Sequence, residues 1–406
     1  MKLLVINAES GKGGGPATIC DDVYTNFCNE ETGNEGLVCW ARKANEKTAV
    51  NRYKIGGKLD MAWHLLITRL FDMHGLGSTI ATKKMVERIR EFNPDVVNLH
   101  NIHGYYLNYK VLFEYLAEAD VPVVWTLHDC WPFTGHCPYF DLVGCEKWKT
   151  HCSKCPQKKK YPASKLLDRS FQNYDLKKQL FAGISKNLTI VTPSAWLGEL
   201  VKESFLKDCR VEVINNGIDL DIFKPMSGSF KKQRGIEDKV MVLALASEWT
   251  VRKGFEDIKY IGTHLPDNYQ LVLVGLQENQ VQEVPKEIIA ITRTDNVQQL
   301  IEIYSEADVF VNASVEDNFP TVILESLACG TPVVTYDTGG CREEVTEECG
   351  ILVDKYDKDG LIAGIKKFGA KNSSRSAACE AKARTFEKKA MYDKYNELFY
   401  NVGKRD

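Results

Sequence analysis

No run of apolar residues in the 406-residue sequence approaches the ~18 that a membrane-crossing helix requires, which argues against a spanning segment. The N-terminus, Met1-Lys2-Leu3-Leu4-Val5-Ile6-Asn7, turns polar before the apolar core of a signal peptide is complete, and reads instead as a first buried strand. Charge of one sign is also lacking. Lys and Arg number 52 against 55 Asp and Glu, a formal net charge of −3, so there is no global electrostatic case for binding nucleic acid. No short-period internal repeat is present. The Gly-rich turn Ser10-Gly11-Lys12-Gly13-Gly14-Gly15-Pro16 fits neither G-x-G-x-x-G nor the Walker pattern, which argues against a nicotinamide or P-loop site.

What is present points to a soluble, globular α/β protein. The composition is 44% hydrophobic and 26% charged, and a chain of this length suits two domains of about 200 residues. The 13 cysteines are mostly scattered through apolar segments (Cys20, Cys28, Cys39, Cys209, Cys329), as expected for buried thiols in a reducing, cytoplasmic compartment. Short apolar runs alternate with helical segments, the pattern of parallel sheets with crossover helices. Strands are predicted near 2–7, 36–41, 95–100, 121–127, 188–192 and 211–214, then near 239–246, 269–275, 288–292, 308–313, 332–336 and 350–353. Two doubly wound units follow from that spacing. The segment MAWHLLITRLFDM after Asp60 reads as a helix packed in the core in preference to one lying on a membrane.

In doubly wound sheets ligands collect at the carboxyl ends of the strands, so residues there are the first candidates. Gly14 and Gly15 follow the first strand, where backbone N–H groups can approach a phosphate or sugar. His100 and His103 follow the third, and His128 with Asp129 the fourth, with Asp129 placed to orient His128. In the second half Arg252 and Lys253 open a helix after a strand and suit a diphosphate. Gly275, Arg293 and Thr294 follow later strands.

Between the two halves lie other signals. Cys137, Cys145, Cys152 and Cys155 form C-x7-C-x6-C-x2-C, which can close a tetrahedral structural zinc site, form a disulfide or redox pair, or remain free thiols. His136, His151 and Cys130 are substitute ligands. Lys147, Lys149, Lys154, Lys158, Lys159, Lys160 and Lys165, mixed with Tyr139, Trp148 and Tyr161, suit a solvated face or an anionic membrane surface. Asp219-Leu220-Asp221 has the form of a D-x-D metal motif but sits in a linker turn, outside the strand-end context that motif needs.

The most informative stretch is SVEDNFPTVILESLACGTPVVTYDTGG, residues 314–340. Asp317 or Asn318 is the expected N-cap of a helix with Pro320 in its first turn. Val322, Ile323, Leu327 and Ala328 form its core stripe, Gly330 ends it, and a buried strand follows. Free N–H groups and the positive dipole end at the helix start form a seat for a diphosphate or sugar hydroxyls.

This stretch resembles the C-terminal signature of the family 4 retaining glycosyltransferases: two acids separated by seven residues, here Asp317 and Glu325, then E-A/S-x-A-x-G-x-P-V-V. Asn216-Gly217-Ile218-Asp219 through Phe223 and Pro225 resembles the family hinge. The W-P-F-T-G-x-C … C-x-x-C-P insertion resembles a subgroup that builds surface polysaccharides. Two departures stand out, Asp317 where the family usually has Glu, and Glu248 where it usually has an Arg, whose function is expected to pass to Arg252. The resemblance implies a GT-B fold, α/β, with two Rossmann-like doubly wound domains facing a cleft: an acceptor domain over 1–215 with the Cys-rich insertion at 130–165, a linker at 216–226, a donor domain over 227–386, and a helix over 387–406 crossing back. It implies transfer from a nucleotide-diphosphate-sugar donor to a glycan or undecaprenyl-linked acceptor, with peripheral contact on the inner face of a membrane and no nucleic-acid partner. Catalysis would need no metal, leaving zinc a structural role. His128, Asp317 and Glu325 would be catalytic; Gly14, Gly15, Arg252, Lys253, Gly275, Arg293, Thr294, Asn318, Phe319, Pro320, Thr321 and Glu325 would bind donor; His100, His103 and Asp129 would face acceptor. A non-catalytic nucleotide-sugar-binding protein, or an epimerase or phosphorylase of the same fold, is the alternative.

Overall fold

The computed structural model describes residues 1–10, 15–42 and 51–404. The chain divides into two compact units, one of residues 1–214 with 392–406 and one of residues 215–391.

In the first unit the short apolar runs become parallel strands: β1 (Lys2–Ile6), β2 (Glu35–Trp40), β3 (Arg52–Lys54), β4 (Val96–Leu99), β5 (Val123–Thr126), β6 (Leu188–Thr192) and β7 (Arg210–Val213). They are ordered β3-β2-β1-β4-β5-β6-β7. Every side chain of β4, β5 and β6 is buried, as a parallel sheet covered on both faces requires. The sheet edge β3 is an addition to the expected strands. Its three residues, Arg-Tyr-Lys, offer neither an apolar run nor a period to detect. The order reverses between β1 and β4, so the crevice for a ligand opens outside their carboxyl ends. The closing helix Lys388–Gly403 packs on this unit with its later residues: Phe399 lies edge-on to Phe27, and the Tyr395 hydroxyl is 3.1 Å from Thr126 Oγ1.

The helix Lys58–Phe71 corrects the expectation of core packing. Its buried residues are His64, Ile67 and Thr68, whereas Leu59 is 88% exposed, Trp63 59% and Leu66 47%. The reason lies in the loop after it. The N–H groups of Gly75 and Gly77 both point at His64 Nε2, at 3.0 and 3.3 Å, and His64 Nδ1 is 3.0 Å from Ser78 Oγ. Buried N–H donors need an acceptor, so the polar stripe of the helix turns inward and the apolar stripe outward.

The second unit is a parallel sheet of β8 (Val240–Leu245), β9 (Tyr269–Val274), β10 (Ile289–Ile291), β11 (Val309–Asn312), β12 (Val333–Tyr336) and β13 (Gly350–Val353). The order is β10-β9-β8-β11-β12-β13, each strand falling on a predicted run, and the reversal lies between β8 and β11. The helix Thr321–Ala328 joins β11 to β12 and buries Ile323, Leu324, Leu327 and Ala328. Its N-cap is Pro320 and no side chain caps it, so the expected capping by Asp317 or Asn318 is corrected. The Asp317 carboxylate is engaged elsewhere, by Lys253 and by the N–H of Asn318. Residues 216–226 are held on this unit: Asn216 Nδ2 donates to the Phe319 carbonyl at 3.2 Å and Ile218 pairs with Glu387. Asp219 accepts from the N–H groups of Asp221 and Ile222 and pairs with Lys388, which makes the Asp-Leu-Asp run a turn.

Candidate functional site

The loops leaving β8, β11 and β12, three neighbouring strands, meet at the switch point of the second unit. Lys253 comes from the first loop and Asp317 from the second, and Lys253 Nζ lies 2.5 Å from Asp317 Oδ2 with both side chains largely shielded from solvent. Arg252 donates from Nη1 to the Glu316 carbonyl at 2.7 Å, and its own carbonyl accepts from Val315 N–H. Burial pushes the Asp317 carboxyl up, but Lys253 and then Arg252 outweigh it and hold it below the usual range. Two glycines let these loops touch. Gly254 has φ +71° and a Cβ there would sit 2.1 Å from the Ala313 carbonyl; Gly339 has φ +54° and a Cβ would sit 1.7 Å from the Asp317 carbonyl. Only a residue without a side chain closes the third loop on the second.

The uncapped start of the helix Thr321–Ala328 lies just beyond Asp317. Glu325, on the same helix, is half-buried, receives the Tyr304 hydroxyl at 3.0 Å, and is pushed up to about 7 by burial. Asn318 is buried and its carbonyl accepts from Gly340 N–H at 2.8 Å. Phe319 turns its ring into the core against Phe386, so its contribution to a ligand would come from the main chain. Gly275, with φ +94°, follows β9. Arg293, exposed, and Thr294 follow β10, two strands along from β8.

Sequence reasoning missed Glu344. It ends the short helix Cys341–Glu344, is fully buried, and neither carboxyl oxygen has a hydrogen-bond partner among the described residues. Burial, reinforced by the charge of Asp317, holds its carboxyl well above the usual range. It is a buried acid beside a charged pair, and its signal in the sequence was the acidic pair Glu343-Glu344, which follows Gly339-Gly340 after two residues.

In the first unit, neighbouring β4 and β5 bring together His100 and His128, whose Nδ1 and Nε2 are 3.0 Å apart. Asn98 Oδ1 lies 2.9 Å from the other nitrogen of His100. Burial pushes His128 down to about 4 and His100 well below its usual value, so both are neutral at neutral pH. Asp129 does not orient His128 as expected; its Oδ2 is 2.9 Å from His103 Nε2 and its Oδ1 accepts from Trp131 N–H. The other nitrogen of His103 is 3.1 Å from the Tyr161 hydroxyl. His74, also missed from sequence, is buried among His103, Tyr105, Trp131 and Tyr161. Gly15 opens the helix Gly15–Phe27, and Gly14 lies outside the described residues.

Cys137, Cys145, Cys152 and Cys155 all carry free thiols and line one void of about 10 Å³, walled by Phe140 and Trp148. Among the described residues no three or more His, Cys, Asp or Glu side chains, these cysteines included, are grouped so as to hold a metal ion.

Two Rossmann-like parallel-sheet units, the second with a cation–carboxylate pair outside its switch point, are the architecture of the GT-B glycosyltransferases. Family models described as glycosyltransferase family 4 and glycosyl transferases group 1 match residues 58–222 and 245–370, and the chain is a glycosyltransferase of the GT-B fold. It is similar to WcaC of Escherichia coli, described as a colanic acid biosynthesis glycosyl transferase, at 24% identity over 99% of this chain and 100% of that one. It is 29% identical, over 36% of this chain and 42% of the other, to the N,N'-diacetylbacillosaminyl-diphospho-undecaprenol alpha-1,3-N-acetylgalactosaminyltransferase of Campylobacter jejuni. Among solved structures, HepE of Anabaena in complex with UDP aligns with a TM-score of 0.67 at 17% identity, covering 99% of this chain and 100% of that chain. That likeness is one of fold. Among the described residues no helix is long and apolar enough to cross a membrane.

Proposed function

We propose that the protein transfers a sugar, with retention of anomeric configuration, from a nucleotide-diphosphate donor to a glycan or lipid-linked acceptor in polysaccharide assembly, without a catalytic metal. The observation that carries this reading is the Lys253–Asp317 pair at the head of an uncapped helix whose second turn presents Glu325. Lys253 spends one ammonium proton on Asp317 and keeps two for phosphate oxygens. The helix start adds main-chain donors and a positive dipole end, and Glu325 accepts from the ribose hydroxyls. As the bond from the anomeric carbon to the β-phosphate oxygen breaks, the charge gathering on the leaving diphosphate is met by Lys253 and Arg252. The acceptor hydroxyl attacks on the same face and gives its proton to that departing oxygen, so no protein base is required. His103, Asp129 and the neutral His100–His128 pair are assigned to the acceptor and the transferred sugar. The names of the WcaC and Campylobacter relatives support a polysaccharide or lipid-linked acceptor.

Thermal melts against UDP-, GDP-, ADP- and CMP-sugars test the donor half of this reading, since a ligand of the folded state alone raises Tm. One nucleotide series is expected to raise Tm, with release of that nucleoside diphosphate when acceptor is added. A protein that no nucleotide sugar stabilises would remove the donor site and, of the alternatives, leave the phosphorylase, which works on a sugar phosphate.

For the cysteine cluster we propose a structural zinc held by Cys137, Cys145, Cys152 and Cys155. Supporting this, four thiols face one void inside an insertion, 130–165, whose only regular elements are the 3-10 turns Trp131–Phe133, Asp141–Val143 and Lys147–Lys149. So little secondary structure over such a length gains from a staple. Elemental analysis is expected to find about one zinc per chain, and Cys152→Ser with Cys155→Ser to lower both metal content and Tm. Metal-free protein that melts unchanged with or without chelator would overturn this.

A further inference from the structure

The inverted helix Lys58–Phe71 presents an apolar face to solvent. On a helical projection Leu59, Ala62, Trp63, Leu65 and Leu66 share one arc, and Lys58 and Arg69 stand on the same arc at either end. The exposed Leu166 and Leu167, at 64% and 49%, extend this face, because the segment carrying them runs beside the end of the helix: Lys165 N–H donates to the Arg69 carbonyl at 2.7 Å and Leu167 N–H to the Leu70 carbonyl at 3.2 Å. Lys158, Lys159, Lys160 and Lys165 belong to that same segment. Residues 58–71 and 158–167 together hold six cations and one acid. The acid, Asp60, lies on the arc of the buried residues, and the nearby Asp72 and Asp168 are spent on His136 and on the N–H groups of Arg169, Cys155 and Ser170.

We infer that this face docks on the surface of a bilayer bearing anionic headgroups, with Leu59, Trp63 and Leu66 entering the headgroup and acyl boundary and the lysines meeting lipid phosphates. A large aliphatic and aromatic face ringed by cations has the chemistry of an interfacial helix, and the charge selects anionic over zwitterionic lipid. The packing explains why the face persists: beside Ile67 the opposite stripe carries His64 and Thr68, and Asp72 follows at the helix end, and these three polar side chains bond buried backbone groups. The same surface adjoins the acceptor-side residues, because Tyr161, bonded to His103, follows Lys158–Lys160 in the chain. A membrane-borne acceptor would therefore arrive beside His103. The docking itself does not rest on the transferase reading.

Co-sedimentation of the full chain with phosphatidylglycerol-containing vesicles and with phosphatidylcholine vesicles, without donor, tests it. Binding is expected to the anionic vesicles alone and to weaken as salt is raised. Leu59→Ser/Trp63→Ser/Leu66→Ser, at exposed positions, is expected to lower partitioning on the order of 100-fold, and Lys158→Ser/Lys159→Ser/Lys160→Ser at least about 10-fold, each with Tm unchanged. Equal sedimentation of parent and variants, or none by the parent, would overturn the proposal. So would a dimer by light scattering that the triple apolar variant dissociates while the parent ignores vesicles, which would give the face to a second copy of the chain.

Discussion

Lys253→Ala is expected to lower kcat/KM by on the order of 10²–10³, most of it in kcat, the scale for removing one group aimed at charge that develops in the transition state. Steady-state kinetics with saturating donor separates this from loss of ground-state binding, and an unchanged kcat would withdraw Lys253 from the chemistry. The same variant carries a second signature in stability. In the parent, Lys253 helps hold the Asp317 carboxyl below its usual range against burial. A depressed carboxyl contributes stability above its unfolded value of about 3.9, which is lost as pH falls through the folded value. Without Lys253, burial is opposed by Arg252 with no partner cation, and the carboxyl shifts upward. The Tm gap between parent and variant is therefore expected to be widest near neutral pH and to close below about pH 4. A gap independent of pH would mean that Lys253 stabilises by packing of its stem instead of by its charge.

The strand-end character of this site is why so much of it was legible. Buried parallel strands demand near-continuous runs rich in apolar and β-branched residues, so Val309–Asn312 and Val333–Tyr336 announce themselves, and polar residues at their carboxyl ends have little structural reason to be there. Lys253 could be read that way, whereas Asp317 and Glu325, the latter inside the helix Thr321–Ala328, were reached through the resemblance of residues 314–340 to a family signature. The helix between the two strands was equally plain, yet its capping was misassigned, because an N-cap preference counts only while the side chain lacks a better partner. Lys253, 64 residues earlier in the chain, supplied that partner.

Other features depend on contacts that no local pattern encodes. The His100–His128 pairing follows from β4 and β5 being neighbours, whereas Asp129, next in sequence to His128, turns to His103 instead. Nothing in the local sequence singles out Glu344 from Glu343; that it faces inward, with no hydrogen-bond partner among the described residues, is a matter of how Gly339 and Gly340 close against the Asp317 loop. The helix Lys58–Phe71 defeated the reading for a different reason. Periodicity locates an apolar stripe but not which way it faces, and here the requirement of buried N–H groups for His64 outweighed the stripe. That inversion exposes Leu59, Trp63 and Leu66 at a cost a purely structural helix has no reason to bear.

Glu325→Gln is expected to make the protein more stable and less able to hold its donor. Burial pushes the Glu325 carboxyl up to about 7, the Tyr304 hydroxyl only partly opposing it. The unfolded chain releases this proton near pH 4.3, so between there and about pH 7 the folded state holds the extra proton. Stability contributed by this group is thus complete at low pH and is lost as pH rises toward 7, a penalty of about 3 kcal/mol by pH 8. The glutamine variant, which cannot ionise, should escape it, so its Tm advantage should grow from pH 5 to pH 8. Donor binding should run the opposite way. Two ribose hydroxyls need an acceptor with no proton of its own, so the parent should bind nucleotide sugar more tightly as pH rises through 7, and the variant should bind weakly with no such slope. Calorimetric titrations and melts over the same pH series read both trends on one pair of proteins. If the variant kept the parent's affinity and pH slope, Glu325 would be a buried acid tolerated by the fold, and the ribose would have to be held elsewhere. If it lost affinity without gaining stability, the raised titration would be absent and the carboxylate already stabilised in the unliganded site. The expected pairing, stability gained where binding is lost, is what distinguishes a group kept ionisable for a ligand from one kept for the fold.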